Sequence, residues 1–214
     1  MTLQFTSVTP EAIGAAVEAL SRGGVAILPA DTVYDFFGRA DVPESVDRVY
    51  AIKKRDRGKP FMLYTNREQV DKWAELTAVA RRLIDAVWPQ PLGLVLNKTS
   101  SVPGWFTGGS STLAVVTASN SIVAPVTERV LGPLFATTVN YSGEATVRSG
   151  DEAMAFARYV DVFVADDAQV LYNRPSTIVD CTVSPPAIIR VGTIPAAVIS
   201  EIVPEVAFDP SRLR

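Results

Sequence analysis

Five cationic side chains lie within seven residues of this 214-residue chain, whose net charge is −3. They are Lys53, Lys54, Arg55, Arg57 and Lys59. Positive groups at this density can bind a polyphosphate or a carboxylate through charge-assisted hydrogen bonds. They could equally complement the dipole at the C-terminus of the helix predicted just before them, at under about 1 kcal/mol per charge. Composition alone leaves both interpretations open.

Three further segments place polar side chains beside strongly apolar runs. Residues 29–34 leave a predicted buried strand, and residues 137–143 and 176–179 combine hydroxyl or amide groups with apolar neighbours. In α/β folds, ligands usually bind at the carboxyl ends of strands. Hydroxyl and amide groups there can hydrogen-bond ribose, phosphate or carboxylate oxygens, although they can also satisfy the loop backbone. Each segment alone is compatible with either role.

The surrounding sequence predicts alternating helices and strands. A first helix begins at Thr9-Pro10-Glu11, with an N-cap, a proline in the first turn and an acidic residue, and ends at Gly23. Further helices are predicted over residues 43–55, 67–76, 78–87, 122–130, 152–159 and 196–202. Strands are predicted over residues 25–29, 61–65, 92–97, 113–117, 134–138, 160–164, 176–182 and 187–191. This alternation favours an α/β fold with a twisted, mixed parallel and antiparallel sheet flanked by helices. Residues 100–111, rich in Gly and Ser, are predicted to form a mobile loop.

Length and composition fit one globular domain, which we expect to span residues 1–214. The chain is 48% hydrophobic and 20% charged, which suits a sizeable single core. Its longest apolar stretches are far shorter than the roughly 20 residues of a membrane span. Residues 1–7 lack the features of a signal peptide. We therefore expect a cytoplasmic protein without a membrane partner.

The scarcity of cysteine and the absence of histidine restrict the kinds of catalytic and metal site that this chain can form. A single cysteine, Cys181, excludes an intrachain disulfide, and the absence of histidine excludes the common zinc sites and His-based triads. We predict no metal-ligating residues. Cys181 lies in an apolar run, which favours a buried core thiol over a nucleophile. The acidic balance, with a pI of about 5.1, argues against broad binding to nucleic acid and favours a small-molecule substrate.

Five motifs in a fixed order resemble those of the YrdC/TsaC family, the threonylcarbamoyl-adenylate synthases. Residues 29–34 resemble Pro-Thr-Asp/Glu-Thr-x-Tyr, and residues 52–60 resemble Ile-Lys-x-Arg followed by Lys-Pro. The others are residues 88–92, 138–143 and 176–192, similar to Trp-Pro-Gly-Pro-Leu, Ser-Ala-Asn-x-Ser-Gly and Ser-Thr-Ile-Val…Arg-x-Gly. The ordered series is specific and spans roughly residues 24–192. It implies a YrdC-like (DHBP synthase-like) α/β sandwich.

The resemblance also implies an activity. Members of the family join L-threonine, bicarbonate and ATP into threonylcarbamoyl-adenylate, with release of pyrophosphate, to supply a transfer-RNA modification. We therefore expect a nucleotidyltransferase that uses ATP, bicarbonate and Mg²⁺ with an amino acid or amine, and whose product a downstream carbamoyl-transferring enzyme could use. Such chemistry depends on positioning and charge neutralisation, so the absence of histidine is no obstacle. Direct RNA binding is not expected.

The same resemblance assigns roles to residues of this sequence. It implies that Lys53 and Arg55 are catalytic. Nucleotide-binding residues would be Lys53, Arg55, Lys59, Thr138, Asn140, Ser142, Ser176 and Arg190. Substrate-binding residues would be Thr32, Tyr34, Tyr64, Asn97, Val116 and Thr138.

Several positions depart from the family pattern on the amino-acid side. Asp35 replaces a glycine, Tyr64 stands where many members have a histidine, Asn97 falls near a common basic residue, and Val116 stands where an arginine is usual. In the family those basic groups help to hold threonine. Loss of a bidentate Arg–carboxylate contact corresponds to roughly 1.5 to 3 kcal/mol, about ten- to a hundredfold in affinity.

These departures leave three alternatives. The chain could be a paralogue that uses another acceptor, or carbamoyl phosphate, in small-molecule carbamoylation. It could be an ordinary synthase in which Arg67, Lys98 or Asn120 rebuilds the carboxylate site. It could also be an RNA- or nucleotide-binding protein without catalysis. We favour the first, in which the nucleotide side is kept and the amino-acid side is altered.

Overall fold

A computed structural model describes residues 1–117, 119–120 and 122–212. The helices are α1 Pro10–Ser21, α2 Pro43–Lys53, α3 Val70–Trp73, α4 Ala78–Val87, α5 Val123–Arg129, α6 Gly150–Ala157 and α7 Ala196–Ile202. The strands are β1 Leu3–Phe5, β2 Ala26–Pro29, β3 Tyr34–Arg39, β4 Met62–Tyr64, β5 Ala74–Glu75, β6 Leu92–Lys98, β7 Thr112–Val116, β8 Leu134–Thr138, β9 Val162–Val164, β10 Thr177–Asp180, β11 Ala187–Arg190 and β12 Ala207–Phe208. The predicted end of the domain, residue 214, lies outside the described residues, and the single-domain assignment stays a prediction.

The strands form one mixed sheet in the order β1-β9-β2-β3-β8-β4-β7-β6-β10-β11-β12, and β5 pairs with β6. Five pairs are parallel, among them β2 with β9 and β4 with β7, whereas β2–β3, β3–β8 and β6–β7 are antiparallel. The predicted mixed α/β sheet flanked by helices is confirmed. Strands that are distant in the sequence are neighbours in the sheet, because β8 lies between β3 and β4.

Helix α1 begins and ends as its sequence predicts. The Thr9 hydroxyl accepts a hydrogen bond from the Ala12 amide, and Pro10 occupies the first turn, where its missing amide hydrogen leaves no hydrogen bond unmade. After the helix, Gly23 takes a positive φ of 80°, a conformation that favours glycine. The same type of N-cap is made by Thr77 for α4 and by Ser149 for α6.

The predicted helix over residues 67–76 is wrong, because only Val70–Trp73 is helical. The Trp73 carbonyl accepts a hydrogen bond from the Thr99 amide, and the Lys72 carbonyl accepts one from the Thr99 hydroxyl. These carbonyls are therefore unavailable to continue the helix. The chain instead extends into β5, where Ala74 and Glu75 pair with the end of β6.

Strand β3 was not predicted, since residues 29–34 were expected to lead into a loop. The chain does turn after Pro29, where the Ala30 amide donates to the Val33 carbonyl, but it returns at once as β3, antiparallel to β2. Five of its six residues are buried, so the sequence lacks the alternation of polar and apolar residues that marks a strand with one solvated face. Strands β1 and β12 are too short to give a sequence signal.

Apolar side chains pack on both faces of the sheet. Consecutive residues of a strand point to opposite faces, and accordingly Phe36 belongs to one core cluster and Phe37 to the other. In the larger cluster the Phe61 ring stacks between those of Tyr50 and Phe135, at centroid distances of 4.2 and 4.9 Å. The predicted core burial of Cys181 is confirmed, and burial raises the pKa of its thiol to about 12. Within the described ranges, every helix is too short or too polar to cross a bilayer.

Candidate active site

A cavity of about 1050 Å³ lies across the middle of the sheet. Its lining draws on seven consecutive strands of the sheet order, β3, β8, β4, β7, β6, β10 and β11. Residues 107–111, from the loop predicted to be mobile, form part of the lining, and Gly108 and Gly109 there have positive φ values of 60° and 83°. Phe106 packs this loop into the core, and its mobility stays a prediction. A cavity of this size accommodates a nucleotide together with a small second substrate.

Two arginines of the lining carry charges that no carboxylate of the described residues neutralises by an ion pair. Arg55 lies just beyond α2, where its Nε donates to the Lys59 carbonyl at 2.8 Å. Arg190, at the end of β11, donates from Nε to the Ser176 carbonyl at 2.9 Å. Neither forms a salt bridge with an acidic side chain of the described residues. Burial lowers the pKa of both guanidinium groups, and an anionic ligand would stabilise their unpaired charge.

Lys53 is buried beneath the cavity wall and does not line it. Its ammonium donates to the Thr138 carbonyl, to the Asn140 carbonyl at 3.1 Å and to Asn140 Oδ1 at 2.6 Å. These contacts account for its three hydrogens. Burial, and then the charge of Arg55, lowers the pKa of Lys53 to about 7. Lys53 therefore fixes the end of β8 and the residues that follow it.

Two hydroxyl-bearing residues line the cavity at strand ends. Thr138 donates from its hydroxyl to Asn140 Oδ1 at 2.9 Å, so the Lys53 contacts also set its orientation. Ser176 precedes β10 and is 6% exposed. Its main chain lies so close to Gly192 that a Cβ at residue 192 would sit 2.1 Å from the Pro175 carbonyl oxygen. The glycine of the Arg-x-Gly motif is thus required by the close approach of two chain segments.

An acidic residue, Asp35, lines the same cavity from β3. It is 6% exposed and pairs in register with Thr138 of β8. Its Oδ2 accepts a hydrogen bond from the Tyr64 hydroxyl at 3.2 Å, whereas the enclosed Oδ1 has no hydrogen-bond partner among the described residues. Burial raises the pKa of this carboxyl to about 7. Nearby Asp31 is fully buried outside the lining, and burial raises the pKa of its carboxyl to about 6.

The structure brings part of the predicted residue set together. The predicted residues that line the cavity are Thr32, Arg55, Tyr64, Val116, Thr138, Ser176 and Arg190. Those that do not line it are Lys53, Lys59, Asn140, Ser142, Tyr34 and Asn97. Lys53 and Asn140 support the lining. Lys59, Ser142 and Asn97 are exposed and not part of it, although Lys59 lies between two lining residues, Gly58 and Pro60. Tyr34 is buried in β3 and its hydroxyl donates to Asp167 at 2.6 Å. The functional roles of both groups stay predictions.

The three residues considered as replacements for a carboxylate-binding arginine lie outside the cavity lining. Arg67 donates to the Trp88 carbonyl, and Lys98 donates to the Val102 carbonyl at 2.9 Å. Asn120 donates from its amide to the Pro29 carbonyl at 2.6 Å. Their polar groups are occupied by structural contacts, which gives no support to the hypothesis that they rebuild the site.

Sequence reasoning missed two parts of the lining. The first is residues 108–111, which were predicted as part of a loop but not placed at the cavity; their glycine pair was the available signal. The second is the C-terminal segment, where Arg212 lines the cavity and its Nε contacts Asp180 at 3.0 Å. No sequence signal linked two residues so far apart. Asp35 was identified only as a departure from a motif, without its place in the cavity.

Comparison with known proteins identifies relatives of this chain by sequence. The family model of Sua5, YciO and YrdC proteins, described as "Telomere recombination", matches residues 18–192. A protein of Pyrococcus abyssi named threonylcarbamoyl-AMP synthase is 29% identical over 195 residues, which cover 90% of this chain and 57% of that protein. One of Pseudoalteromonas translucida with the same name is 31% identical over 173 residues, covering 78% of this chain and 92% of the relative.

Two solved structures share the fold of this chain. P. abyssi Sua5 complexed with L-threonine superimposes with a TM-score of 0.91 at 27% identity, covering 98% of this chain and 63% of that one. Escherichia coli YciO gives a TM-score of 0.78 at 23% identity, covering 90% and 96% of the two chains, and supports the fold alone. The present chain thus spans less than two thirds of the length of its P. abyssi relatives.

Proposed function

Because the chain belongs to the Sua5/YciO/YrdC family, we propose that it makes a carbamoyl-adenylate from ATP, bicarbonate and a small amine-bearing substrate. The amine would add to bicarbonate-derived carbon dioxide and lose a proton, giving a carbamate. A carbamate oxygen would then form a bond to the α-phosphorus of ATP as the bond to pyrophosphate breaks. Two relatives named threonylcarbamoyl-AMP synthase support this class of reaction.

The observation that carries the proposal is the presence of Arg55 and Arg190 in one cavity, where neither forms an ion pair with an acidic side chain in the described part of the chain. The triphosphate of ATP and the leaving pyrophosphate are strongly anionic, and guanidinium groups bind such oxygens bidentately. Arg55 would neutralise charge on the phosphates from the rim, and Arg190 would do so from β11. Fixed positive groups of this kind stabilise charge that develops during the displacement.

The remaining polar groups would position the nucleotide. Thr138 and Ser176 offer hydroxyls to ribose or phosphate oxygens. Lys53 would act by holding Thr138 and Asn140 in place, since its hydrogens are engaged in the present arrangement. No protein nucleophile is needed, because the carbamate itself attacks.

ATP would enter as its magnesium complex, with the metal held by phosphate oxygens and water. Mg²⁺ in nucleotide sites typically uses only one or two carboxylates besides the phosphates. Among the described residues there is no cluster of three or more acidic or thiol side chains that could hold a metal by themselves. The acidic residues of the lining are Asp35 and Asp180. Asp180 is paired with Arg212, so Asp35 is the one that could approach such a complex.

The test is pyrophosphate release from ATP, bicarbonate and Mg²⁺ with a panel of amino acids, amines and carbamoyl phosphate. L-Threonine is the first acceptor to include, because it is the ligand in the P. abyssi relative. Arg55→Ala is expected to lower kcat/KM by about ten- to a hundredfold through loss of a charge-assisted contact. Arg57→Ala is the matched control, since Arg57 lies two residues away, outside the lining, and pairs with Asp47.

The outcomes separate the candidate functions. Pyrophosphate release that Arg55→Ala reduces and Arg57→Ala leaves unchanged supports the proposal. ATP binding without release of pyrophosphate in the presence of any of the acceptors would indicate a nucleotide-binding protein without catalysis. Activity only with carbamoyl phosphate would place the chain among carbamoylation enzymes that start from a preformed carbamoyl group.

A further inference from the structure

Arg212 presents a guanidinium group to the cavity from the C-terminal segment, residues 207–212. It lines the cavity, and 40% of its side chain is exposed. Its Nε donates to Asp180 Oδ2 at 3.0 Å, whereas Nη1 and Nη2 have no hydrogen-bond partner within the described residues. A guanidinium carries five N–H donors. The four donors on Nη1 and Nη2 therefore remain available to a ligand.

The position of Arg212 is fixed from two sides. On the main-chain side, β12 pairs with β11, and the Asp209 amide donates to a carbonyl of β11 at 3.0 Å. The Ser211 hydroxyl then donates to Asp209 Oδ1 at 2.5 Å. On the other side, Asp180 holds the guanidinium and is itself held by two hydrogen bonds from Thr182 to Oδ1. An arginine held in this way loses little further freedom when it binds a ligand.

The cavity has an apolar floor beside this arginine. Asp180 of β10, Val95 of β6 and Ala114 of β7 pair in register on neighbouring strands, and all three line the cavity. Ile178 and Ile189, which belong to a small apolar cluster with Val95, line it as well. A charged group next to an apolar floor suits a small molecule that has an anionic end and an apolar body.

The charges of the lining suit two kinds of anion. Arg55 and Arg190 form no ion pair within the described residues, and their positive charge matches a triphosphate. Arg212 and Asp180 together carry no net charge, so this pair suits a singly charged group better than a polyanion. A carboxylate has a single charge, and its two oxygens match the parallel N–H donors of a guanidinium.

Resting on the proposed function, we propose that Arg212 binds the carboxylate of an amino-acid substrate through Nη1 and Nη2. The apolar floor would then receive the side chain of the amino acid. Asp180 is a positioning residue, since it orients the guanidinium through Nε. Arg212 thus determines specificity for an amine that bears a carboxylate over an amine that lacks one.

Two pairs of probes that differ only in the carboxylate test this inference: L-threonine with L-threoninol, and L-valine with L-valinol. Their binding is measured by titration calorimetry in the presence of α,β-methylene ATP, so that the readout does not need turnover. The unmodified protein is expected to bind at least one of the two acids about ten- to a hundredfold more tightly than the corresponding alcohol. Arg212→Gln should remove this preference by weakening the binding of the acid, without changing the affinity for the alcohol or for the nucleotide analogue.

Arg82→Gln is the matched control, because Arg82 is a similarly exposed arginine that pairs with one carboxylate, that of Glu205, but lies outside the lining. It should leave all affinities unchanged. Equal binding of acid and alcohol in both pairs, no binding of any probe, or an unchanged preference in Arg212→Gln would each overturn the inference. Weaker binding of α,β-methylene ATP to Arg212→Gln would assign Arg212 to the phosphates and would overturn it too.

Arg212→Lys provides a second comparison that keeps the positive charge beside Asp180 but loses the fork of parallel donors. It should also reduce the preference for the acid, and a preference retained in full would overturn bidentate binding. Pyrophosphate release is followed separately with the same probes. Release without a carboxylate preference refutes this inference alone, and a carboxylate preference without release refutes the proposed reaction alone.

Discussion

Replacing Asp35 by Asn is expected to stabilise the fold, and to do so more at high pH than at low pH. Burial raises the pKa of the Asp35 carboxyl from its ordinary 3.8 to about 7, a rise that the Tyr64 hydrogen bond and the charges of Lys53 and Arg190 oppose and that Asp31 reinforces. Since the unfolded chain gives up this proton more readily, the native state loses stability as the pH rises from about 4 to about 7.

The magnitude follows from the two pKa values. A carboxyl whose pKa changes from 3.8 to about 7 on folding destabilises the native state by about 4 kcal/mol once both states are ionised. At pH 5 about 1.7 kcal/mol of this effect is present, and at pH 8 nearly all of it. The Asn side chain has no charge at either pH. The stability advantage of Asp35→Asn should therefore grow by about 2 to 3 kcal/mol between pH 5 and pH 8.

The assay is urea unfolding at pH 5, 6, 7 and 8, followed by the fluorescence of the three tryptophans and compared between the variant and the unmodified protein. Asp85→Asn, at a highly exposed carboxylate, is the control for the chemical change itself. A difference for Asp35→Asn that is constant over this range would refute the reasoning, because it would mean that Asp35 titrates alike in both states.

Three further variants test the supports of the cavity. Lys53→Met should destabilise the protein by about 2 to 4 kcal/mol in urea unfolding, because the main-chain and side-chain acceptors bonded to Lys53 would lose their donor. Its control is Lys54→Met at the next, exposed residue, which should change stability little. Equal effects of the two substitutions would contradict the anchoring role of Lys53. Gly192→Ala should lower Tm and cost at least about 2 kcal/mol, since its Cβ would meet main-chain atoms at 2.1 to 2.5 Å, whereas Gly104→Ala has open space; equal Tm values would refute the clash. Asp180→Asn should destabilise by about 1 kcal/mol at pH 7. Burial raises the pKa of Asp180, but its hydrogen bonds to Thr182 and its arginine partner lower the pKa overall. The stability that ionised Asp180 contributes is therefore present above the pKa of the unfolded chain and disappears as the pH falls. A loss of stability in Asp180→Asn that persists at pH 3 would contradict this prediction.

Local signals in the sequence predicted most helices and strands, but they did not reveal where contacts with distant residues override them. The N-cap at Thr9 and the glycine that follows α1 act within a few residues, so they are visible in the sequence. The helix predicted over residues 67–76 failed because Thr99, more than twenty residues away, binds the carbonyls of Lys72 and Trp73. Strand β3 was missed because burial on both faces removes the alternation that identifies a strand.

The candidate site was predictable to the extent that motifs mark strand ends. Arg190 and Ser176 belong to one motif, and the structure brings both to the cavity. Lys53 is part of a motif too, but only the structure shows its ammonium engaged by main-chain carbonyls. The replacement of a motif glycine by Asp35 was visible in the sequence, yet the burial of Asp35 at the cavity depends on the pairing of β3 with β2 and β8.

The position of β8 between β3 and β4 has a consequence for synthesis of the chain. When the ribosome has produced the first hundred residues, β3 and β4 exist but the strand that joins them, residues 134–138, does not. Each then has an unpaired edge with main-chain donors and acceptors, which is a template for pairing with other chains. The nascent chain therefore carries these two unpaired edges until about residue 140 has emerged, and slower translation before that point would lengthen their exposure. Completion of β8 protects both edges in one step, and with them the wall of the cavity.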